Sequence, residues 1–201
     1  LGSGRAATAF VHALGEKVRA GLHVRCIPTS SDTARLAEKL QIPLTNFEET
    51  DAIDVTVDGA DEVDPNLNLI KGLGGALVRE KIVASSSRML VICVGEEKEV
   101  PILGQHGVLP VEIVPFALGF CRRRIAALGC PPTLRLHDDK PFVTDNGNHI
   151  FDCRVGPIDD PAALDSALLA IPGVVDTGLF LDMAHTVLIQ EGSEVRVRTR
   201  S

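Results

Sequence analysis

Apolar residues at Ala7, Phe10, Val11, Leu14 and Val18 recur every three or four positions. This spacing predicts an amphipathic helix over about 5–20, ended by Gly21. A short apolar run at 24–27 predicts a strand. Thr29-Ser30-Ser31-Asp32 then offers N-cap residues for a second helix, which carries Leu36, Ala37 and Leu40 and stops at Pro43. Ile53, Val55 and Val57 alternate with polar positions and predict a strand over 53–57. A helix is expected over 76–87, with Val78 and Ile82 on one stripe. The uninterrupted apolar run at 89–94 (MLVICV) suits a strand covered on both faces. Alternation of helix and strand argues for an α/β fold, Rossmann-like, with a mostly parallel sheet and helices on both faces. Ligands of such sheets bind beyond the carboxyl ends of the strands. The glycine turn at 2–4, the loop at 58–61 and the segment 95–98 should therefore meet at one sheet edge.

The pattern changes near Gly107. A strand is expected over 108–114 despite Pro110, and Pro115 suits the first turn of a helix reaching about 128, closed by Gly129. Short strands follow near 133–137, 141–144 and 149–155. Asp145-Asn146-Gly147-Asn148 is a hairpin signal that would join the last two. A helix over 161–171 and a strand over 174–181 complete a smaller inserted α+β domain, placed at 108–176. Strands at 186–190 and 194–198 should rejoin the first sheet, so the larger catalytic domain comprises 1–107 and 177–201.

Composition narrows the class of function. With 201 residues, 45% of them apolar, the chain can bury a sizeable core. Aromatic residues make up 3% and the net charge is −7, which argues against base-stacking platforms and against a nucleic-acid partner. An anionic small molecule remains open, since a few cations and backbone N–H groups suffice to hold one. The five cysteines include no C-x-x-C pair, which points to reduced thiols and a cytoplasmic protein without a metal site. The histidines show no metal-ligand spacing. No 18-residue apolar run is present, so no membrane partner is expected. The chain opens on Leu1-Gly2-Ser3-Gly4 without Met, and a glycine turn this early should follow a strand. Residues before Leu1 are therefore expected to be missing.

The candidate chemistry is concentrated between Ile53 and Glu80 (IDVTVDGADEVDPNLNLIKGLGGALVRE). Asp58 and Asp61 lie three residues apart across a Gly59-Ala60 turn, so both carboxylates can address one space and raise one another's proton affinity. The plainer reading is a solvated turn with Asp as a local cap, and Glu62 and Asp64 are read that way, as loop surface. Lys71 precedes Gly72-Leu73-Gly74, where glycine permits close approach to the backbone and a lysine can stabilise an oxyanion. A surface lysine beside a flexible turn would look the same. Glu80 has Ala76, Leu77, Val83 and Ala84 as helical neighbours, so desolvation should suit it to act as a base. An acid pairing with Arg79 or Lys81 is the alternative. Gly2-Ser3-Gly4-Arg5 opens a helix and so offers a phosphate site, or an ordinary cap.

Taken together, VDGADEVDPNLNLIKGLGGALVREKI, PVEIVPFA, VTDNGNHIFD and IPGVVDTGLF resemble the signatures of the type A ribose-5-phosphate isomerase family, in order over nearly the whole chain. The resemblance implies interconversion of ribose 5-phosphate and ribulose 5-phosphate through an enediolate, without metal or other cofactor. It implies Glu80 as the base, Lys71 as the oxyanion stabiliser, and Asp58 and Asp61 as hydroxyl ligands, one assisting ring opening. Substrate would be lined by Gly2, Ser3, Gly4, Arg5, Ala6, Gly59, Ala60, Gly72, Leu73, Gly74 and Lys98. A homodimer or homotetramer is implied as well. One departure stands out: the family's G-T-G-S-T phosphate loop is Gly2-Ser3-Gly4-Arg5-Ala6 here. Arg5 is expected to take over phosphate charge, since guanidinium binds phosphate bidentately. A non-catalytic sugar-phosphate sensor, or an isomerase of another sugar phosphate, is the rival reading.

Overall fold

The computed structural model describes residues 1–50 and 52–200. Its helices are α1 (Gly4–Arg19), α2 (Ser31–Lys39), α3 (Leu77–Ser85), α4 (Leu118–Ala127) and α5 (Pro161–Leu169). The first strands are β1 (Ile53–Asp58), β2 (Glu62–Val63), β3 (Leu69–Ile70), β4 (Ser87–Gly95) and β5 (Val108–Ile113). Next come β6 (Pro132–Leu134), β7 (Leu136–His137), β8 (Lys140–Pro141) and β9 (His149–Arg154). The last are β10 (Val174–Thr177), β11 (Leu179–Phe180), β12 (Thr186–Glu191) and β13 (Glu194–Thr199).

Two compact units divide the chain. The first is Leu1–Ala60, Arg79–Glu97 and Met183–Ser201; the second is Asp61–Val78 and Lys98–Asp182. These limits differ from the expected boundaries at 107 and 177. The cause is strand pairing: β2 and β3 join β11 in a three-stranded sheet, which draws residues 61–78 into the second unit. Periodicity along the chain carries no information about such distant partners.

In the first unit the strand order is β1-β4-β12-β13. β1, β4 and β12 run parallel, and β13 closes the edge antiparallel to β12, so the C-terminal strands rejoin the sheet as expected. Phe10, Val11, Leu14 and Val18 of α1 pack with Leu36 and Ala37 of α2, with Leu40 at its C-cap, and with Ile42 and Leu44. α2 starts where Ser30 Oγ accepts the Thr33 N–H at 3.1 Å. The expected strand at 24–27 shrinks to one bridge, Cys26 with Leu44. Cys26 N–H donates to the Pro43 carbonyl, and Pro43 has no N–H with which to extend the ladder. β4 also departs from expectation. Leu90, Ile92 and Val94 are buried, but Met89 and its register partner Val55 lie exposed, so full coverage holds on one face only.

In the second unit the main sheet has the order β10-β5-β9-β6, antiparallel throughout. Its core gathers Leu109, Val111, Ile113, Phe151 and Cys153 from the sheet with Cys121 and Ile125 of α4 and Leu168 of α5. The Asp145–Asn148 signal makes a turn, closed by Gly147 N–H to Thr144 O at 2.9 Å, but not the expected hairpin. β9 pairs with β5 and β6 instead. The local hairpin is β7–β8, turned by Asp138 and Asp139 at φ 50° and 59°, the left-handed pair that two-residue hairpins require. The strand expected over 174–181 breaks at Gly178 into β10, which pairs with β5, and β11, which pairs with β3. A Cβ on Gly178 would meet the Lys71 carbonyl oxygen at 2.3 Å.

Candidate active site

The candidate residues fall in both units, and each set has its own support. In the first unit Asp58 ends β1 and is buried. Its Oδ1 accepts N–H groups from Ser3 at 3.0 Å and Gly59 at 2.7 Å. Gly2 runs directly over this carboxylate: a Cβ on Gly2 would lie 2.1 Å from Asp58 Oδ1. The Gly2 N–H donates to Val57 O at 2.9 Å, Thr33 Oγ1 donates to Gly2 O at 3.0 Å, and Ser3 Oγ lies 2.7 Å from Thr29 Oγ1. The glycine turn is thus stitched at once to the carboxyl end of β1 and to the start of α2. The N-termini of α1 and α2, each carrying the positive end of a helix dipole, adjoin one another there. Ala6 also belongs to this edge. Its Cβ and the Cys93 carbonyl each lie 3.8 Å from where a Gly59 Cβ would be. Of the expectation that the turn at 2–4, the loop at 58–61 and the segment 95–98 share one sheet edge, the part inside this unit, residues 2–4, 58–60 and 95–97, is met; Asp61 and Lys98 belong to the second unit. Arg5 is placed differently from the rest of the loop. Its side chain is 94% exposed, with a guanidinium nitrogen 3.8 Å from Glu97 Oε1.

Glu80 stands in the first turn of α3 and is 5% exposed. Its helical neighbours Val83 and Ala84 are buried too, which is the semi-apolar setting expected from their spacing.

In the second unit Asp61 Oδ2 accepts the Leu73 N–H at 3.0 Å, while Asp61 N–H donates to Ile70 O at 2.8 Å. Lys71 is 3% exposed, with Nζ 5.4 Å from the centre of the Phe180 ring, a cation–π contact. Its backbone N–H donates to Gly178 O at 2.9 Å. Gly72 has φ 111°, a left-handed conformation, and a Cβ there would lie 2.9 Å from Leu77. Gly75 N–H donates to Gly72 O at 3.0 Å, closing the loop that also holds Leu73 and Gly74. Lys98 ends the single turn Glu96–Lys98 after β4.

Two carboxylates are not the loop surface that their sequence suggests. Glu62 and Asp64 are both buried. Glu62 accepts N–H groups of Gly104 and His106, each at 2.6 Å. Asp64 accepts those of Asn66 and Asn68, each at 2.8 Å. Burial is tolerated because backbone donors satisfy the charge, and no local spacing announces those donors. Thr29, part of the expected cap stretch, and Thr33, which the sequence does not single out, also support the glycine turn.

A family model described as ribose 5-phosphate isomerase A (phosphoriboisomerase A) matches residues 25–194. The chain is 45% identical to ribose-5-phosphate isomerase A 1 of Oceanobacillus iheyensis, over 98% of this chain and 88% of that protein. It is 50% identical to ribose-5-phosphate isomerase A of Roseiflexus castenholzii, over 94% of this chain and 82% of that protein. A solved structure of D-ribose-5-phosphate isomerase in complex with phospho-erythronic acid aligns with a TM-score of 0.96 at 39% identity, over 100% of this chain and 89% of that one.

Proposed function

The chain belongs to the ribose 5-phosphate isomerase A family, and from that premise we propose that it interconverts D-ribose 5-phosphate and D-ribulose 5-phosphate with Glu80 as the proton-transfer base. The observation that carries the role of Glu80 is its burial, 5% exposed, on the apolar side of α3. Water around a carboxylate weakens it as a base, and removal from water restores that basicity. In the aldose-to-ketose direction Glu80 takes the proton from C2 and an enediolate forms. The same carboxyl returns the proton to C1, and the hydroxyl proton on O2 passes to O1. Lys71 holds the negative charge that develops on those oxygens, and its burial strengthens that interaction relative to water. Asp58 and Asp61 bind substrate hydroxyls, and one of them assists ring opening. Both are already oriented by backbone N–H groups, so little is lost in fixing them on binding. The phosphate sits at the glycine turn, where the N-termini of α1 and α2 adjoin. Gly59, Ala60 and residues 72–74 offer backbone to the sugar, and Lys98 adds a cation.

We further infer a reducing, cytoplasmic setting from the five cysteines, all of them free. Among the described residues no helix is long and apolar enough to cross a membrane. A homodimer or homotetramer is proposed too, in keeping with Phe116, an aromatic side chain left 99% exposed.

The test is a coupled assay with ribose 5-phosphate, run beside other aldose phosphates, on the wild type and Glu80→Gln. Turnover on ribose 5-phosphate is expected to exceed that on the others. The Gln variant should lose about 10²- to 10⁴-fold in kcat, the usual contribution of a positioned base, with unchanged circular dichroism. Near-full activity of Glu80→Gln would remove Glu80 from the mechanism.

A further inference from the structure

Arg135 has no role in the reaction as described so far, yet its side chain reaches back to the loop after Lys71. It lies between β6 and β7, its backbone N–H donating to Ile150 O at 2.9 Å. Its Nη1 donates to two successive carbonyls, Gly72 O at 2.9 Å and Leu73 O at 3.1 Å. The other edge of the guanidinium is held by Asp152: Nε donates to Oδ2 at 2.9 Å and Nη2 pairs with Oδ1. Its carbon lies 5.9 Å from the centre of the Phe142 ring. That ring fills the space beside Gly75, where a Cβ would lie 2.5 Å from Phe142 Cζ. The arginine side chain is only 12% exposed.

We propose that Arg135 is a positioning residue for the isomerase reaction, acting through the Gly72–Leu73 peptide. That peptide is gripped at both ends. Its carbonyl oxygen accepts from Arg135, and its N–H donates to Asp61 Oδ2 at 3.0 Å. Glycine at 72, with φ 111°, leaves this peptide the conformational freedom to rotate. A rotation would turn the N–H away from Asp61 and release the carboxylate that is to bind substrate. The guanidinium removes that freedom together with the Gly75 N–H, which donates to the same carbonyl at 3.0 Å. A cation on the carbonyl also polarises the peptide and strengthens the hydrogen bond given by its N–H. Planarity matters as much as charge: one edge of the fork is committed to Asp152 while the remaining nitrogen serves both carbonyls. Lysine cannot reproduce this geometry.

The inference rests on the proposed roles of Asp61 and Lys71, so its test carries Glu80→Gln as a control. Arg135→Ala, Arg135→Lys and Asp152→Asn are assayed with ribose 5-phosphate, with and without methylguanidinium, and their thermal melting is recorded. Arg135→Ala is expected to lose about 10- to 100-fold in kcat, the scale of a small misplacement of a catalytic group, with KM changed less than about threefold. Methylguanidinium should restore part of that kcat. Arg135→Lys should stay well below wild type although it keeps the charge, and Asp152→Asn should fall in between. A purely structural arginine would instead lower the melting temperature and leave kcat per folded molecule unchanged, and that result overturns the proposal. If Arg135→Ala does not fold, wild-type kcat in Arg135→Lys overturns it equally. Full activity in Glu80→Gln would defeat the underlying reading. An inactive Glu80→Gln beside fully active Arg135 variants would defeat the Arg135 proposal alone.

Discussion

Gly2 is a position where a single added methyl group would strike the proposed chemistry directly. Its backbone lies against Asp58, and an added Cβ would fall 2.1 Å from the carboxylate oxygen, with the strand end and the start of α2 holding both partners in place. Gly2→Ala is therefore expected to destabilise the protein by about 1–3 kcal/mol, the range for overpacking. It should also displace Asp58, so kcat/KM should fall by more than the loss of folded protein explains. Urea denaturation together with steady-state kinetics checks both outcomes. The identity of such residues was visible in the sequence; the reason for it was not. The Asp58–Asp61 spacing, Lys71 and Glu80 stood out because each is a charged residue set among small or apolar neighbours. Glu62, Asp64 and Arg135 did not, because the groups that satisfy or employ them come from elsewhere in the chain. His106 lies 44 residues beyond Glu62, and Gly72 lies 63 residues before Arg135.

At the scale of elements, the turn at 144–148 shows how a strong local signal can be put to a different use. Glu112, fully buried near the end of β5 and paired there with Ile150 of β9, accepts from Thr144 Oγ1 at 3.0 Å, Asn146 Nδ2 at 3.1 Å and Asn148 Nδ2 at 2.9 Å, all at Oε1. The Asp-Asn-Gly-Asn stretch is thus tied down by a strand carboxylate and not by a hairpin ladder. Glu112→Ala would take the acceptor from three side-chain donors, of which Thr144 is buried while Asn146 is exposed and Asn148 half-buried. A loss of about 1–3 kcal/mol is expected, the cost of one unsatisfied buried polar group. Chemical denaturation measures it, and a change below about 1 kcal/mol would show that the turn holds itself. Capping and period are local, so helix limits are legible in the sequence to within a few residues: α1, α2 and α5 begin at or beside their expected starts. The short strands were read less well. Their limits depend on partners, as in the break at Gly178 and the single bridge at Cys26.

For the whole molecule, the aliphatic core carries a consequence for pH. Cys121, Cys130 and Cys153 are buried, and burial pushes each thiol above the ordinary value of 9.0, Cys153 most strongly. The unfolded chain therefore loses these protons as the pH rises through about 9, while the folded chain keeps them. Above that pH the folded state binds more protons than the unfolded state, so stability that is complete below pH 9.0 declines as the pH rises. The slope expected is up to about 1.4 kcal/mol per pH unit for each thiol held fully protonated. Urea denaturation at pH 8 and pH 10 tests this, with Cys153→Ala expected to flatten the alkaline decline. An unchanged midpoint across that interval in the wild type would contradict it. Folded protein should also react slowly with iodoacetamide at these three positions.

The order of the helices, the family signature and the candidacy of Asp58, Asp61, Lys71 and Glu80 were legible in the sequence alone, because period, capping and the types of neighbouring side chains are properties of adjacent residues. The grouping of 61–78 with the second unit, the burial of Glu62, Asp64 and Glu112, the clasp of Gly2 on Asp58 and the reach of Arg135 to Gly72 and Leu73 were decided only by tertiary structure. Each is a long-range pairing of hydrogen-bond donors with acceptors or of backbone with side chain, and a linear pattern does not encode which distant group will satisfy a given charge.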